Sequence, residues 1–138
     1  MAHEKFRVEV LTPEGEVFND DVELVSTKTA VGSIGVLAHH EPVLAMLDPT
    51  ELRLYKTESE IVRFAQAEGY LQVAENRALI LVEEAHAPGE LDAASLRERL
   101  QQAESEIESA RDDTAKRRVA ERDKARLETF LAIAEGGS

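Results

Sequence analysis

Apolar and polar residues alternate along most of the first 85 positions of the chain, which is the period of strands with one buried face. Phe6, Val8 and Val10, for example, alternate with charged residues. Further strands are predicted at 22–29, 51–56, 61–67, 69–74 and 77–83. The Asn-Asp-Asp sequence at 19–21 predicts a turn. The last strand is apolar on both faces and should be central. Many short strands joined by turns predict an all-β sandwich or barrel.

The stretch from Gly32 to Leu47 has two apolar runs around a polar tip. The tip consists of His39, His40, Glu41 and Pro42. Proline cannot donate to a sheet ladder, so the tip is predicted to be an exposed loop between the strands of a hairpin. Polar loops on a rigid sheet often carry function, although an ordinary sandwich hairpin has the same pattern.

After residue 85 a helical period replaces the alternation. His-Ala-Pro-Gly at 86–89 interrupts regular structure. Asp92 is predicted to be an N-cap, with Leu91 and Leu96 at the positions of a hydrophobic staple. The apolar stripe of this first helix is Leu96, Leu100, Ala103, Ile107 and Ala110.

A second helix is predicted from about Ala115 to Ala134, after cap-forming residues at 112–114 and ending at Gly136-Gly137. Its apolar face is predicted to gather Ala115, Val119, Ala120, Leu127, Phe130, Leu131 and Ala134. Asp123 projects into that face, so the hairpin formed with the first helix should be loosely held. The predicted architecture is therefore an all-β sandwich or barrel at 1–87, followed by an antiparallel two-helix hairpin at 88–138.

The charges of the two helices are segregated. Residues 98–113 contain six acidic and two basic residues, whereas 114–127 contain six basic and two acidic ones. Docked helices of this kind attract each other, but each exposed pair contributes only about 0–1 kcal/mol.

Composition excludes several classes of protein. The formal net charge is −12, which opposes binding to nucleic acid. Cysteine is absent, so disulfides and cysteine-ligated metals are excluded. The sequence shows neither a signal peptide nor an apolar run long enough to span a membrane, so a soluble, cytosolic chain without direct membrane insertion is expected.

Candidate catalytic chemistry is sparse. Neighbouring His39 and His40 would point in opposite directions from a strand, and no histidine spacing suits a metal. No nucleophile, base and orienting group can be assigned together, so the chain is predicted not to be an enzyme and to hold no cofactor or metal.

Several motifs, in order, resemble the epsilon subunit of F-type ATP synthases. The sequence GSIGVLAHHEP at 32–42 is similar to the family signature G-x-[IL]-G-[IVL]-[LM]-P-x-H-x-P, except that Ala38 stands at the first proline. Val10-Leu11-Thr12-Pro13-Glu14-Gly15 resembles the opening V-x-T-P-x-G. The segment from Gly69 to Leu81 resembles G-[FY]-L-x-V, a later asparagine and I-L.

This resemblance implies a non-catalytic subunit of the central stalk. Its sandwich would pack on the gamma subunit, and the tip, with His39, His40, Glu41 and Pro42, would contact the c-ring. Gly32, Gly35, His40 and Pro42 match motif positions, and the two glycines are expected to have a structural role. The implied location is peripheral, on the cytoplasmic face of a bacterial cell membrane, with a chloroplast as the alternative.

The resemblance also implies a role for the second helix. Arg118, Arg122 and Arg126 lie four residues apart and form one stripe. In epsilon subunits this helix can extend along gamma toward acidic segments of the alpha/beta catalytic subunits and inhibit ATP hydrolysis. The alternative is a solvated basic face that pairs with the first helix.

Some bacterial epsilon subunits bind ATP through [IL]-D-x-x-R-A. Here Leu91 and Asp92 match, but Ser95 and Leu96 replace the arginine and alanine. Asp92 is thus the one candidate ATP ligand, and binding no tighter than millimolar is expected. Two other functions stay open: a nucleotide-sensing module, and an unrelated interaction protein with a β-body and helical arms.

Overall fold

The computed structural model describes residues 3–136. The chain divides into two compact units at the junction of Ala87 and Pro88. The first unit is built of strands and the second of helices. The predicted fold class, an all-β part followed by a helical hairpin, is confirmed.

Among the described residues the first unit has ten strands. They are β1 (Phe6–Thr12), β2 (Gly15–Val22), β3 (Leu24–Thr29), β4 (Gly32–Leu37), β5 (Val43–Leu47), β6 (Thr50–Tyr55), β7 (Ile61–Gln66), β8 (Gly69–Ala74), β9 (Arg77–Val82) and β10 (Ala85–His86).

The strands pair as two halves joined at one point. One half has the order β10-β7-β6-β3-β4, and the other has the order β5-β8-β9-β1-β2. The pairing of Thr29 with Leu47 links them. All neighbours are antiparallel except β1 and β9, which are parallel. The two halves contribute to one aliphatic core, the arrangement of a sandwich: Val8, Val10, Leu71 and Ile80 come from one half, and Val25, Val36, Leu52 and Leu54 from the other.

The structure corrects two predictions about the first unit. Residues 19–21 are not a turn: they continue β2, where Asn19, Asp20 and Asp21 lie opposite Glu9, Val8 and Arg7 of β1. Pairing with β1 overrides their turn propensity, because an edge strand can leave polar side chains in solvent. The stretch from Gly32 to Leu47 is also not a hairpin. Its first strand, β4, pairs with β3, whereas β5 pairs chiefly with β8.

Two glycines shape the first unit for different reasons. Gly32 has φ +136°, a conformation that favours glycine. Gly69 opens β8, and a Cβ placed there would lie 1.9 Å from the carbonyl oxygen of Leu81. Gly35 has neither constraint, since a Cβ there would meet its nearest side-chain atom, on Leu24, at 3.6 Å.

The second unit begins with a short 3₁₀ turn at Pro88–Glu90, followed by α1 (Ala93–Ser109) and α2 (Thr114–Ala134). Asp92 caps α1 as predicted, since its carboxylate accepts hydrogen bonds from the N–H groups of Ala94 and Ser95 at 3.0 and 3.4 Å. Asp113 caps α2 by accepting from the N–H of Lys116 at 3.1 Å. None of the described helices has the length and apolarity needed to cross a membrane.

The two helices pack against each other as an antiparallel hairpin. Arg97 near the start of α1 forms an ion pair with Glu135 just beyond α2. The residues buried in the second unit are Leu96, Ala103, Ala120, Leu127, Phe130 and Ile133. Ile133 was not on the predicted face, and Ala115 and Val119, which were, are exposed. Of the predicted Gly136-Gly137 end, Gly137 lies outside the described residues.

An ion pair connects the two halves of the sandwich. Lys56, just after β6, lies 2.9 Å from the Asp20 carboxylate in β2 and 3.7 Å from Glu60. The hydrogen bond from Lys56, helped by the Asp21 N–H, lowers the pKa of Asp20, and Asp20 in turn raises the pKa of Lys56.

This pair predicts a small acid-sensitive contribution to stability. Because the pKa of Asp20 is lower in the folded chain, its contribution is present above the unfolded pKa and is lost as pH falls through the folded value. Replacing Lys56→Met should raise the pKa of Asp20, measured by NMR titration of its carboxyl carbon. Replacing Lys28→Met, an exposed lysine of β3, should leave that pKa unchanged. An unchanged Asp20 titration in the Lys56 variant would contradict the assignment.

Candidate functional site

The tip is a tight turn followed by an exposed segment. The N–H of His40 donates to the carbonyl oxygen of Leu37 at 3.2 Å, which closes the turn. His39 occupies the third position of this turn with φ +64°. Glu41 and Pro42 are exposed, and β5 begins at the next residue. The four predicted tip residues therefore form one continuous surface segment.

Neighbouring segments hold the tip. The side-chain oxygen of Asn76, in the turn between β8 and β9, accepts a hydrogen bond from the His39 N–H at 2.7 Å. Glu4 Oε2 lies 2.8 Å from His39 Nε2, and both side chains are well exposed. A left-handed residue other than glycine costs about 1 kcal/mol, roughly what one hydrogen bond contributes. The exposed ion pair contributes less.

The imidazole of His40 is oriented by its neighbour. Its Nδ1 lies 2.6 Å from the carbonyl oxygen of Glu41. Since a carbonyl can only accept, Nδ1 carries the hydrogen of this bond.

An apolar surface adjoins the tip. Leu44 and Met46 on β5 are 73% and 61% exposed, and Tyr70 on β8 and Leu81 on β9 are 52% and 43% exposed. Met46 lies opposite Tyr70, and Tyr70 lies opposite Leu81, so these side chains are contiguous across three strands. We call these four residues the apolar face. Contiguous exposed apolar surface of this kind makes these four residues a candidate interaction surface.

Sequence reasoning missed the apolar face. The prediction that the strand at 77–83 is central is confirmed, because β9 lies between β8 and β1. However, only one side of β9 is fully covered: Ala78, Ile80 and Val82 are buried, whereas Leu81 on the other side is exposed. The available signal was that 43–47 and 78–82 are apolar on both faces, whereas a strand of an antiparallel sheet with one solvent side usually alternates apolar and polar residues.

The arginines of α2 have different environments. Arg118 and Arg122 are exposed. Arg126 is mostly covered, with 15% of its side chain exposed, and donates to Asp123 at 2.9 Å. This pairing explains how Asp123 is accommodated beside the apolar face of α2. The predicted stripe of three arginines thus presents two of them to solvent.

The family model for the "ATP synthase, Delta/Epsilon chain, beta-sandwich domain" matches residues 5–88, more than half of the chain. The chain belongs to this family. The predicted resemblance to epsilon subunits is thereby confirmed. The chain is 34% identical to the ATP synthase epsilon chain of Persephonella marina, over 94% of this chain and 96% of that one. It is 36% identical to the epsilon chain of Alkalihalophilus pseudofirmus, over 78% of this chain and 80% of that one.

Solved structures share the fold of this epsilon-family chain. A chain in the cryo-EM structure of the Euglena gracilis mitochondrial ATP synthase, OSCP/F1/c-ring, superposes with a TM-score of 0.80 at 22% identity, covering 96% of this chain and 82% of that one. A chain in the Tetrahymena thermophila mitochondrial ATP synthase central stalk/c-ring superposes with a TM-score of 0.61 at 19% identity, covering 97% and 99%.

In this epsilon-family chain the partial ATP motif has a structural use. The Asp92 carboxylate caps α1, and the buried Leu96 stands where the motif has alanine. Among the described residues no group of three or more histidine or acidic side chains is placed to hold a metal ion.

We expect ATP to bind the isolated chain no more tightly than millimolar, because the carboxylate of Asp92 is engaged and Ser95 lacks the positive charge of arginine. Isothermal calorimetry with ATP measures this directly. Restoring the motif with Ser95→Arg and Leu96→Ala provides the comparison. A micromolar isotherm for the unaltered chain would contradict the expectation.

Proposed function

We propose that this chain is the epsilon subunit in the central stalk of an F-type ATP synthase, where it connects the gamma shaft to the c-ring and restrains ATP hydrolysis. Its membership of the family carries this proposal, together with the near full-length match to epsilon chains. The subunit is not itself catalytic and is peripheral to the membrane, at the cytoplasmic face in a bacterium.

The apolar face is the proposed gamma contact. Leu44, Met46, Tyr70 and Leu81 supply large side chains that are solvent-exposed in the isolated chain. Burying them against a partner removes apolar surface from water at about 25 cal/mol per Å². A rigid antiparallel sheet loses little conformational freedom on binding, so most of this gain is retained.

The tip is the proposed c-ring contact. It follows β4 and leads directly into β5, so the tip and two residues of the apolar face, Leu44 and Met46, lie on one continuous piece of chain. His40 Nε2 and the exposed Glu41 carboxylate offer polar contacts, and Pro42 limits the freedom of the segment. One rigid unit can therefore hold gamma and the c-ring in a fixed relation.

The hairpin α1–α2 is the proposed brake. Its turn end is thinly packed: an open groove of about 700 Å³ is lined by Ala110, Ala115, Val119 and Ala120, with acidic side chains and Lys116 at its margin. Thin packing lowers the free energy needed to separate the helices. A partner that binds the separated form better shifts the population toward it.

Exposed Arg118 and Arg122 suit an acidic partner. Complementary charge increases the rate of encounter and the specificity of binding. In the docked hairpin these side chains are exposed, so they remain available for the alpha and beta subunits.

The decisive test is ATP hydrolysis by the alpha–beta–gamma core with the whole chain and with the chain cut after Ala87. We expect the whole chain to inhibit and the truncated chain to bind gamma without inhibiting. Replacing Arg118→Ala and Arg122→Ala should weaken inhibition severalfold. The matched control, Arg99→Ala with Arg111→Ala, removes the same charge from α1 and the turn and should inhibit normally. Equal inhibition by the whole and truncated chains would show that the hairpin is not the brake.

A further inference from the structure

The tip has a backbone conformation that its own residues do not favour. Positive φ at the third position of such a turn is usual for glycine or asparagine, yet His39 occupies it with φ +64°. Proline at the second position would preset the turn, but Ala38 stands there. The turn therefore needs support from outside its own sequence.

Asn76 provides the best-placed support. Its side-chain oxygen accepts the His39 N–H at 2.7 Å, from a position 37 residues away. Asn76 is itself fixed, because it follows Glu75 in the tight turn between β8 and β9. The φ angles are +52° for Glu75 and +59° for Asn76. Asparagine suits that turn. The alternative support, the ion pair between Glu4 and His39, is 65% exposed at both side chains and is therefore weak.

We propose that Asn76 is a positioning residue for the tip. Its amide oxygen holds His39 in the left-handed conformation and so directs His40, Glu41 and Pro42 toward the c-ring. This inference rests on the proposed function, since the c-ring is the partner that the tip would meet. A residue outside the tip, Asn76, thus sets the geometry with which the tip meets its partner.

Three variants separate the hydrogen bond from the turn that carries it. Asn76→Gly removes the acceptor but suits positive φ, so the β8–β9 turn persists. Asn76→Asp keeps an acceptor oxygen and should rescue the contact. Glu75→Gly changes the neighbouring residue of the same turn and leaves the hydrogen bond intact. Thermal unfolding of each variant verifies that the sandwich remains folded.

Two measurements on the whole chain test the proposal. NMR gives the hydrogen exchange rate of the His39 amide and the backbone coupling that reports its φ. Surface binding gives the affinity for the purified gamma–c-ring complex. In Asn76→Gly we expect the hydrogen exchange rate of the His39 amide to rise about fivefold, which is the effect of losing one ordinary hydrogen bond. We also expect its backbone coupling to average over more than one conformation and the affinity for the gamma–c-ring complex to fall. Asn76→Asp and Glu75→Gly should keep His39 exchange and coupling, and the affinity for the gamma–c-ring complex, close to those of the unaltered chain.

The outcomes distinguish this inference from the proposed function. If the exchange rate and backbone coupling of His39 are unchanged in Asn76→Gly, the positioning role is overturned, whatever the affinity for the gamma–c-ring complex. If the His39 exchange rate and coupling change in Asn76→Gly but the affinity does not, while Glu41→Ala weakens binding, the positioning role is overturned. The c-ring contact of the tip is then still supported. If neither Glu41→Ala nor any Asn76 variant changes the affinity, the c-ring contact of the tip fails, and the positioning role fails with it.

Discussion

Replacing Leu44→Glu and Met46→Glu together should lower the affinity for gamma by about 100-fold or more. Both side chains project from β5 into the apolar face, and both are more than half exposed in the isolated chain. Central apolar anchors typically contribute about 2 kcal/mol or more each to an interface, and the new carboxylates would be buried without partners. Calorimetry with purified gamma measures the change.

The control for this variant is Val31→Glu. Val31 is 98% exposed and lies in the turn between β3 and β4, outside the four residues of the apolar face. It should bind gamma normally. Because all three sites are at the surface, each variant should keep its unfolding temperature within a few degrees. Normal gamma binding by the Leu44 and Met46 variant would show that gamma uses another surface.

Replacing Gly69→Ala should destabilise the sandwich by about 3 kcal/mol. The added Cβ would lie 1.9 Å from the Leu81 carbonyl oxygen and 2.7 Å from the Cα of Val82. Both obstacles are backbone atoms of a central strand, so relief requires β8 and β9 to move apart. Gly69 also pairs with Leu47 of β5, so the displacement would disturb that pairing too. Chemical denaturation of the whole chain measures the loss.

Gly35→Ala is the matched control, because its Cβ would make only ordinary contact with Leu24. It should change stability by less than about 0.5 kcal/mol, as for most surface substitutions. The comparison separates two glycines that both stand at positions of the family motifs. Equal stability of the two variants would contradict the close strand approach at Gly69.

The two proposed contacts have a shared physical basis in β5. This strand starts at the tip and carries Leu44 and Met46 outward, while Leu47 enters the core. The core side fixes the strand, and the outer side is then presented without rearrangement. A load on the c-ring contact would be transmitted to the gamma contact through the paired backbone of β5 and β8.

The sequence alone determined the features that depend on neighbours along the chain. Alternation fixed most strands, because the side-chain period of a strand is two. The change of period after residue 85 and the carboxylate of Asp92 fixed the start of α1, because capping is a local hydrogen bond. The ordered motifs around Gly32 and Gly69 identified the family.

Only the tertiary structure decided which strands pair and which surfaces remain open. Residues 19–21 form part of β2 because their pairing with β1 outweighs their turn propensity. The strand β5 pairs with β8 and not with β4. The apolar face exists because one half of the sandwich covers only the inner side of β5, β8 and β9. The support of His39 by Asn76 joins residues 37 positions apart. Such contacts depend on how segments distant in the sequence pack together, which the local pattern of residues does not determine.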